Sequence, residues 1–409
     1  AIEYLTRVGD RATGVYALGE ALTALEQAEQ HARLLAAGVS RDRAVIDLLV
    51  RQGLPLVQTG RLTDVRDRFL AEGATVDRLG TDPVIAGYHL LLGLAFDHLG
   101  DQASASSSAR RAVEESNRWG DGVTHGKACW VLSLGAFWSG AFDEGIRYAQ
   151  RGVELLGETR ETWWLGHNHW ILGVNAVSTG SFDLARQAAA QTRAVGEKGG
   201  DRRLESYSRW VAGWVDVLTG DRLAGLAACR AALELAPDPL CQAVASQWLG
   251  FAHLETGSPE AAVPLLTEAL EHYASFHVTA LHAWAAAWLS EALLALGEIN
   301  QASVRAAEAV DLGRGVQFPL AVGIGQRTLG RIARASGDLA LAELELAAAS
   351  STFSGIGARY ELARTQVEMA AVAQALGRAA SAHQQLESAH RLFAQLGVTP
   401  GGQPEPGAT

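Results

Sequence analysis

Methionine is almost missing from this chain, which has one (Met369), and cysteine (three) and proline (ten) are scarce across its 409 residues. Three scattered thiols, Cys129, Cys229 and Cys241, supply neither a disulfide framework nor a zinc site, and they suit a reduced, cytoplasmic setting. Sparse proline beside abundant alanine and leucine favours helix. Positive charge is also short. A net charge of −11 leaves no domain-wide basic face to release counterions, which argues against nucleic-acid binding through phosphates. No apolar run reaches the ~18 residues of a bilayer span. The best candidate, Val84 to Phe96, is interrupted by glycine and histidine. No membrane-binding amphipathic helix and no secretory signal stand out. The chain opens on Ala1 and has no initiator methionine, which reads as a piece of a longer polypeptide.

Catalytic signatures are missing as well. No phosphate-cradling GxxxxGK[ST] occurs, and the glycines of "GVQFPLAVGIGQRTLG" lie within a helical pattern, not between a strand and a helix. No nucleophile–base–acid set has the local context that acyl transfer requires. Glu114 and Glu115 fall on a helix face that solvent would cover. His167 and His169, spaced i, i+2 on a helix, point ~200° apart and cannot both reach one ion. His125, one repeat earlier, completes no ligand set. A metal or enzyme site around His167 and His169 is therefore only a remote alternative. No catalytic residue, metal or cofactor is expected.

What is present is repetition. Glycine closes a helical pattern at Gly60, Gly100, Gly140, Gly180, Gly220, Gly257, Gly297, Gly337 and Gly377, in steps of 40 residues with one step of 37. Seven residues before each stands a small residue: Gly53, Gly93, Ser133, Gly173, Gly213, Gly250, Ser290, Gly330 and Ala370. Five residues after most of them the same rule gives Ala105, Gly145, Ala185, Gly225, Ala262, Ala302, Ala342 and Ala382. Twelve after, it gives Ala112, Gly152, Ala232, Ala269, Ala309, Ala349 and Ala389. Small side chains at fixed spacing let helices cross closely. A glycine suits a helix end that enters the left-handed region before the next helix starts. Asp101, Asp143, Ser258 and Asp338 stand in the opening turns that follow. Each unit is thus a helical hairpin, and hairpins must stack to bury their apolar faces. Residues 1–40 form an irregular capping hairpin, residues 41–396 nine repeats, and residues 397–409 a disordered tail rich in proline and glycine.

"WLGFAHLETGSPEAAVPLLTEALEHY" and "GDRLAGLAACRAALELAPDP" resemble tetratricopeptide (TPR) repeats, and the resemblance covers residues 1–396. It implies an all-α, right-handed superhelical solenoid of about ten hairpins. The longer period resembles the C-terminal arrays of bacterial cyclase–ATPase–TPR proteins and of MalT-like and LuxR-type regulators. "YLTRVGDRATGVYALGEALTALEQA" is similar to the junction between an ATPase module and such an array. That resemblance implies an upstream ATPase or effector in the same polypeptide.

The chain's eleven tryptophans all lie between Trp119 and Trp288. In TPR arrays the first helix of each hairpin lines the concave surface, at 13, 10, 9, 6, 3 and 2 residues before the turn glycine. That template implies groove positions for Lys127, Trp130, Phe137, Trp138, His167, Trp170, Tyr207, Trp210, Trp214, Trp248, Phe251, Trp284 and Trp288. Eight of the eleven tryptophans then share one face. The usual core aromatic eleven residues before the glycine is replaced by Cys129, His169, Arg209 and Ser246, so the tryptophans could instead take over core packing. Further along the face, Arg327, Arg331 and Arg334 form an i, i+4, i+7 row that Arg364 joins. Such guanidiniums hold a carboxylate or phosphate, unless Glu255 and Glu291 on the same face pair with them. The expectation is a non-catalytic sensor or interaction module that binds a peptide, protein segment or small aromatic or anionic ligand. A scaffold or oligomerisation module acting through convex faces or ends is the alternative. The oligomeric state is left open.

Overall fold

The computed structural model describes residues 1–15 and 17–398; of the tail expected over residues 397–409, residues 399–409 lie outside the described residues. Among them the secondary structure is entirely helical, and the fold is a TPR-like helical solenoid. Two compact units make up the chain. The first comprises Ala1–Gly135 and Arg151–Glu161, the second Ala136–Gln150 and everything from Thr162 onward.

The first unit contains α1 (Ile2–Gly14), α2 (Leu18–Arg33), α3 (Val39–Gln58), α4 (Leu62–Ala71), α5 (Gly73–Leu79), α6 (Val84–His98) and α7 (Gln102–Trp119). The unit boundaries fall within α8 (Gly122–Trp138) and α9 (Phe142–Leu156). The second unit continues with α10 (Thr162–Thr179), α11 (Phe182–Gly199), α12 (Arg202–Thr219), α13 (Arg222–Leu235), α14 (Pro239–Glu255) and α15 (Pro259–Phe276). It ends with α16 (Thr279–Ala295), α17 (Ile299–Gly315), α18 (Pro319–Ala335), α19 (Leu339–Gly355), α20 (Arg359–Ala375) and α21 (Ala379–Leu396).

Local sequence explains why these helices stop where they do. All nine periodic glycines have positive φ, between 75° and 102°. At one of them, Gly257 donates its N–H to the Leu254 carbonyl at 3.1 Å and Ser258 donates to His253 at 2.9 Å, which closes the last turn of α14. Side-chain caps restart the chain at Asp101, which accepts from the Ser104 N–H, and at Asp338, which accepts from Leu341. Ser258 occupies the same kind of position without a side-chain capping bond.

The small residues mark where helices cross. Every position in the three sets, seven before, five after and twelve after the turn glycine, is buried. At the α12–α13 crossing, a Cβ on Gly213 would lie 2.6 Å from the Cys229 Sγ and 2.9 Å from the Gly225 carbonyl oxygen. A Cβ on Gly225 would lie 2.8 Å from the Gly213 oxygen, so the two backbones touch through reciprocal glycines. This close approach brings the first helices of consecutive hairpins together: α10 touches α12, α12 touches α14, α14 touches α16, and α16 touches α18.

Candidate ligand-binding face and its aromatic stack

In the second unit the large side chains on these first helices meet one another. His167 stacks on Trp163 at 3.9 Å and sets its Nδ1 2.8 Å from the Trp163 carbonyl oxygen. Trp170 packs on Tyr207 at 4.8 Å and on Trp210 at 6.1 Å. Trp210 lies parallel to Trp248, 4.7 Å away and tilted by 7°. Trp248 meets Trp214, Trp284 and Trp288 at 4.4, 5.3 and 5.0 Å. Phe251 stacks on Trp288 at 4.5 Å, while Phe137 and Phe318 contact Trp284 at 5.4 and 5.5 Å. Trp138 contacts Phe318 edge-on at 5.1 Å.

The ring row is thus real within this unit, but its exposure differs from an open wall. Trp210, Trp214, Trp248, Trp284, Trp288, Phe137, Phe251 and His167 are buried, whereas Trp138, Trp170 and Tyr207 are only partly covered. The physical reason lies in the helix spacing just described, because backbones this close leave indoles on a shared face no space except against each other. One cavity of about 20 Å³ remains, bordered by Trp214, Trp284, Trp288, Tyr360 and Glu361 among others. That is room for about one water molecule. Two of the expected positions belong to the first unit. Lys127 there forms an ion pair with Glu161 at 3.0 Å, and Trp130, buried, faces His98 at 6.3 Å.

Polar atoms inside the stack are incompletely satisfied. The indole Nε1 groups of Trp170, Trp210 and Trp284 are buried without a hydrogen-bond partner. Tyr273 donates to the Gln247 Oε1 at 2.7 Å, which leaves the Gln247 Nε2 as a fourth unused donor. Burial pushes the Tyr273 phenol well above its ordinary range.

The arginine row is not an open anion site in this state. Arg327, 1% exposed, donates through Nε and Nη2 to the Glu291 Oε1 at 3.0 and 2.8 Å and pairs through Nη1 with Glu361. Arg364 reaches Glu291 at 3.4 Å and Glu255 at 2.8 Å. Arg331 lies 3.8 Å from Glu291 and 3.2 Å from Glu368, and Arg334 reaches Glu368 at 3.1 Å. Burial by itself raises the Glu291 carboxyl, but Arg327, Arg364 and Arg331 outweigh it and hold that carboxyl at about 2. Glu255 goes the other way: burial raises it, opposed by Arg364 alone at close range. The internal pairing with Glu255 and Glu291 foreseen from sequence is what the chain forms, and Glu361 and Glu368 add to it.

Across this unit the ends of α10 and α20 also meet. Arg359 donates Nε and Nη2 to the Thr179 carbonyl oxygen at 3.0 and 2.7 Å, over 180 residues of sequence. Leu396 fills the space beside Gly180, where no Cβ would fit. Arg359, Tyr360 and Glu361 were missed by sequence reasoning. They begin α20 sixteen or more residues before Gly377, beyond the first position of the repeat template.

Burial lowers His169 to about 4, and among the described residues no three His, Cys, Asp or Glu side chains could share an ion. The three cysteines are buried, and burial pushes each thiol up to about 12. In the first unit a polar cavity of about 200 Å³ is lined by Arg33, Arg41, Asp42, Val45, Glu72 and Thr75. Its charges are already paired: Arg33 donates to Glu29 and Glu72 at 2.6 and 2.7 Å, and Arg41 to Asp42 at 2.9 Å.

No protein-family model matches the chain, and no curated protein matches its sequence. Its fold is similar to that of solved structures at low identity. A Rap protein complexed with competence and sporulation factor has a TM-score of 0.69 at 12% identity, covering 86% of this chain and 98% of that one. A Rap conjugation gene regulator in complex with the Phr* peptide has a TM-score of 0.58 at 14% identity, covering 86% and 95%. A signal-transduction ATPase from Pyrococcus horikoshii with a tetratricopeptide repeat sensor has a TM-score of 0.50 at 14% identity. It covers 87% of this chain but only 55% of the ATPase chain. The chain thus shares a TPR-type helical repeat fold with these regulators and sensors.

Proposed function

We propose that this chain is a non-catalytic TPR-type module that binds a peptide or protein segment along its aromatic face. The observation that carries the reading is the set of buried, unpartnered donors on that face, Trp170, Trp210, Trp284 and Gln247. A buried donor left without an acceptor costs about 1–3 kcal/mol. An extended peptide supplies both what these groups lack and what surrounds them, carbonyl acceptors and apolar side chains. Two structural neighbours were solved with bound factors, one of them named a peptide, which supports the choice of ligand class. Because the stack leaves room for about one water, binding must separate first helices that now touch. By favouring the separated state a ligand would shift a conformational equilibrium. In a longer cytoplasmic polypeptide that shift would reach an attached ATPase or effector, an arrangement that the repeat sensor of the archaeal neighbour supports.

The test uses Trp210→Phe and Trp284→Phe, which keep an aromatic ring and remove the N–H. Each removes an orphan donor but leaves a smaller ring in a packed site, effects of opposite sign, so thermal stability should change little while peptide binding weakens about tenfold. Binding is read by tryptophan emission and calorimetry against pooled acetylated hexapeptides. Unchanged affinity in both variants would remove the stack from the binding face.

A scaffold acting through the second helices is the other reading. Leu223 on α13, Val304 on α17 and Leu344 on α19 are 83%, 65% and 66% exposed, an apolar outer surface that a second copy could cover. Light scattering decides it. A concentration-dependent dimer lost in a Leu223→Glu, Val304→Glu, Leu344→Glu triple variant would favour the scaffold, and a monomer at all concentrations would exclude it.

A further inference from the structure

We infer that the buried guanidinium edge of Arg327 and Arg364 is a carboxylate-binding subsite of the peptide face, held in this state by Glu361 as an internal stand-in. The inference rests on the peptide-binding reading above and adds the charge of the ligand.

Three guanidiniums, from Arg327, Arg331 and Arg364, converge on the single carboxylate of Glu291, which is 2% exposed. That carboxylate alone cannot balance them. The remaining positive charge is met by Glu361, on Nη1 of Arg327 and 3.8 Å from Nη1 of Arg364, by Glu255 on Arg364, and by Glu368, 3.2 Å from Arg331. The Glu255 contact is poor. Its Oε1 lies 2.8 Å from the Arg364 Nη1, yet neither atom makes a directed hydrogen bond. Glu361 differs from Glu291 in place and exposure, its side chain being 15% exposed against 2%. It sits in the first turn of α20 and borders the small cavity beside Trp284, Trp288 and Tyr360.

Glu361 is thus a charged group on the wall of that cavity, and a ligand entering beside it meets its carboxylate. If an uncharged group displaced its carboxylate, the fork of Arg327 would be left without its second counter-charge in a dry site, which is strongly unfavourable. A ligand that brings its own carboxylate restores the balance, and a fork already fixed by Glu291 is prepared to receive it bidentately. A cation would instead sit beside two buried arginines. The chemistry points to a carboxylate next to an aromatic or apolar side chain. A free peptide C-terminus and an acidic side chain both supply it.

Three pools of acetylated hexapeptides separate the cases: free acids ending in Phe, the same peptides amidated, and amidated peptides with Asp before the terminal Phe. Calorimetry on the full chain should show the free acids binding at least about tenfold tighter than the plain amides. Glu361→Gln removes the competitor and should tighten binding of the acids about tenfold, with the acids still binding more tightly than the plain amides. If the Asp-containing amides match the acids, the carboxylate is a side chain; if only the free acids bind tightly, it is the terminus. Equal binding of acids and plain amides overturns the subsite, as does weaker acid binding by Glu361→Gln. Should that variant not fold, the acid-to-amide ratio in the native chain decides alone. Failure of all three pools to bind instead removes the peptide reading, and the subsite with it.

Discussion

Two buried carboxylates in this chain are pushed in opposite directions, and their consequences for stability have opposite signs. Glu291 falls from 4.5 to about 2 because three arginines outweigh its burial. A depressed carboxyl contributes stability above its unfolded value, and that contribution is lost as pH falls from about 4.5 toward 2. Denaturant titrations at pH 6 and pH 3 should show a loss of a few kcal/mol in the native chain and a much smaller one in Glu291→Gln. At pH 6 the variant itself should be about 3–5 kcal/mol less stable, since Arg327 then loses its partner in a buried site. Asp97, in the first unit, rises from 3.8 to about 7 through burial, and its Oδ1 has no partner. Here the sign reverses, and the folded state is penalised increasingly as pH climbs from about 4 to 7. Asp97→Asn should therefore raise the melting temperature at pH 8 and do little at pH 4. At this scale the sequence was half legible. The i, i+4, i+7 spacing put Arg327, Arg331 and Arg334 on one face, and the repeat template put Glu255 and Glu291 on the same face as alternative partners to a bound anion. Glu361 stands sixteen residues before Gly377, outside the template positions, and Glu368, nine before it, was not singled out.

The hairpin turns were the most legible elements, because a left-handed residue at fixed intervals has a chemical signature. Gly257 has φ 80° and open space around its Cβ position, so Gly257→Ala should cost about 1–2 kcal/mol from backbone strain alone. Gly213 is different in kind. Added bulk there meets the Cys229 sulfur and the α13 backbone, so Gly213→Ala must push two helices apart and should cost more, with wider loss of amide protection by hydrogen exchange. The turns between hairpins escaped the reading because two of them lack glycine. His277 and Gln317 adopt φ 57° and 56°, where the sequence gives no warning. Replacing either by glycine should stabilise the chain by about 1 kcal/mol, read from denaturant midpoints. The face of each helix was legible too, because the small residues fix which side meets a neighbour. How near the next first helix comes was not legible, and that distance decides whether an indole faces solvent or another indole.

At the scale of the second unit, some contacts stand apart from repeat packing, as Trp138 on Phe318 and Leu396 beside Gly180 do. Arg359 grips the Thr179 carbonyl, joining the start of α20 to the end of α10. Repeats that touch only their neighbours build stability additively, whereas this bond ties ends of the unit that are far apart in sequence. Arg359→Ala should leave helicity and melting temperature nearly unchanged. It should increase acrylamide quenching of the tryptophans and speed amide exchange at residues 176–182, and no change in either would mean that the contact restrains nothing. Periodicity describes how one repeat meets the next, so it held no information about this contact or about the division into two units.

The parallel pair of Trp210 and Trp248, with Trp284 and Trp288 edge-on and Trp214 tilted beside it, also has an optical consequence. Indoles at these separations couple their excited states, so the group has a shared near-ultraviolet response. Its near-ultraviolet circular dichroism is then set by the angles between the rings. Sliding any one first helix would change the signal of the whole set at once, and the chain carries within itself the gauge of its own opening.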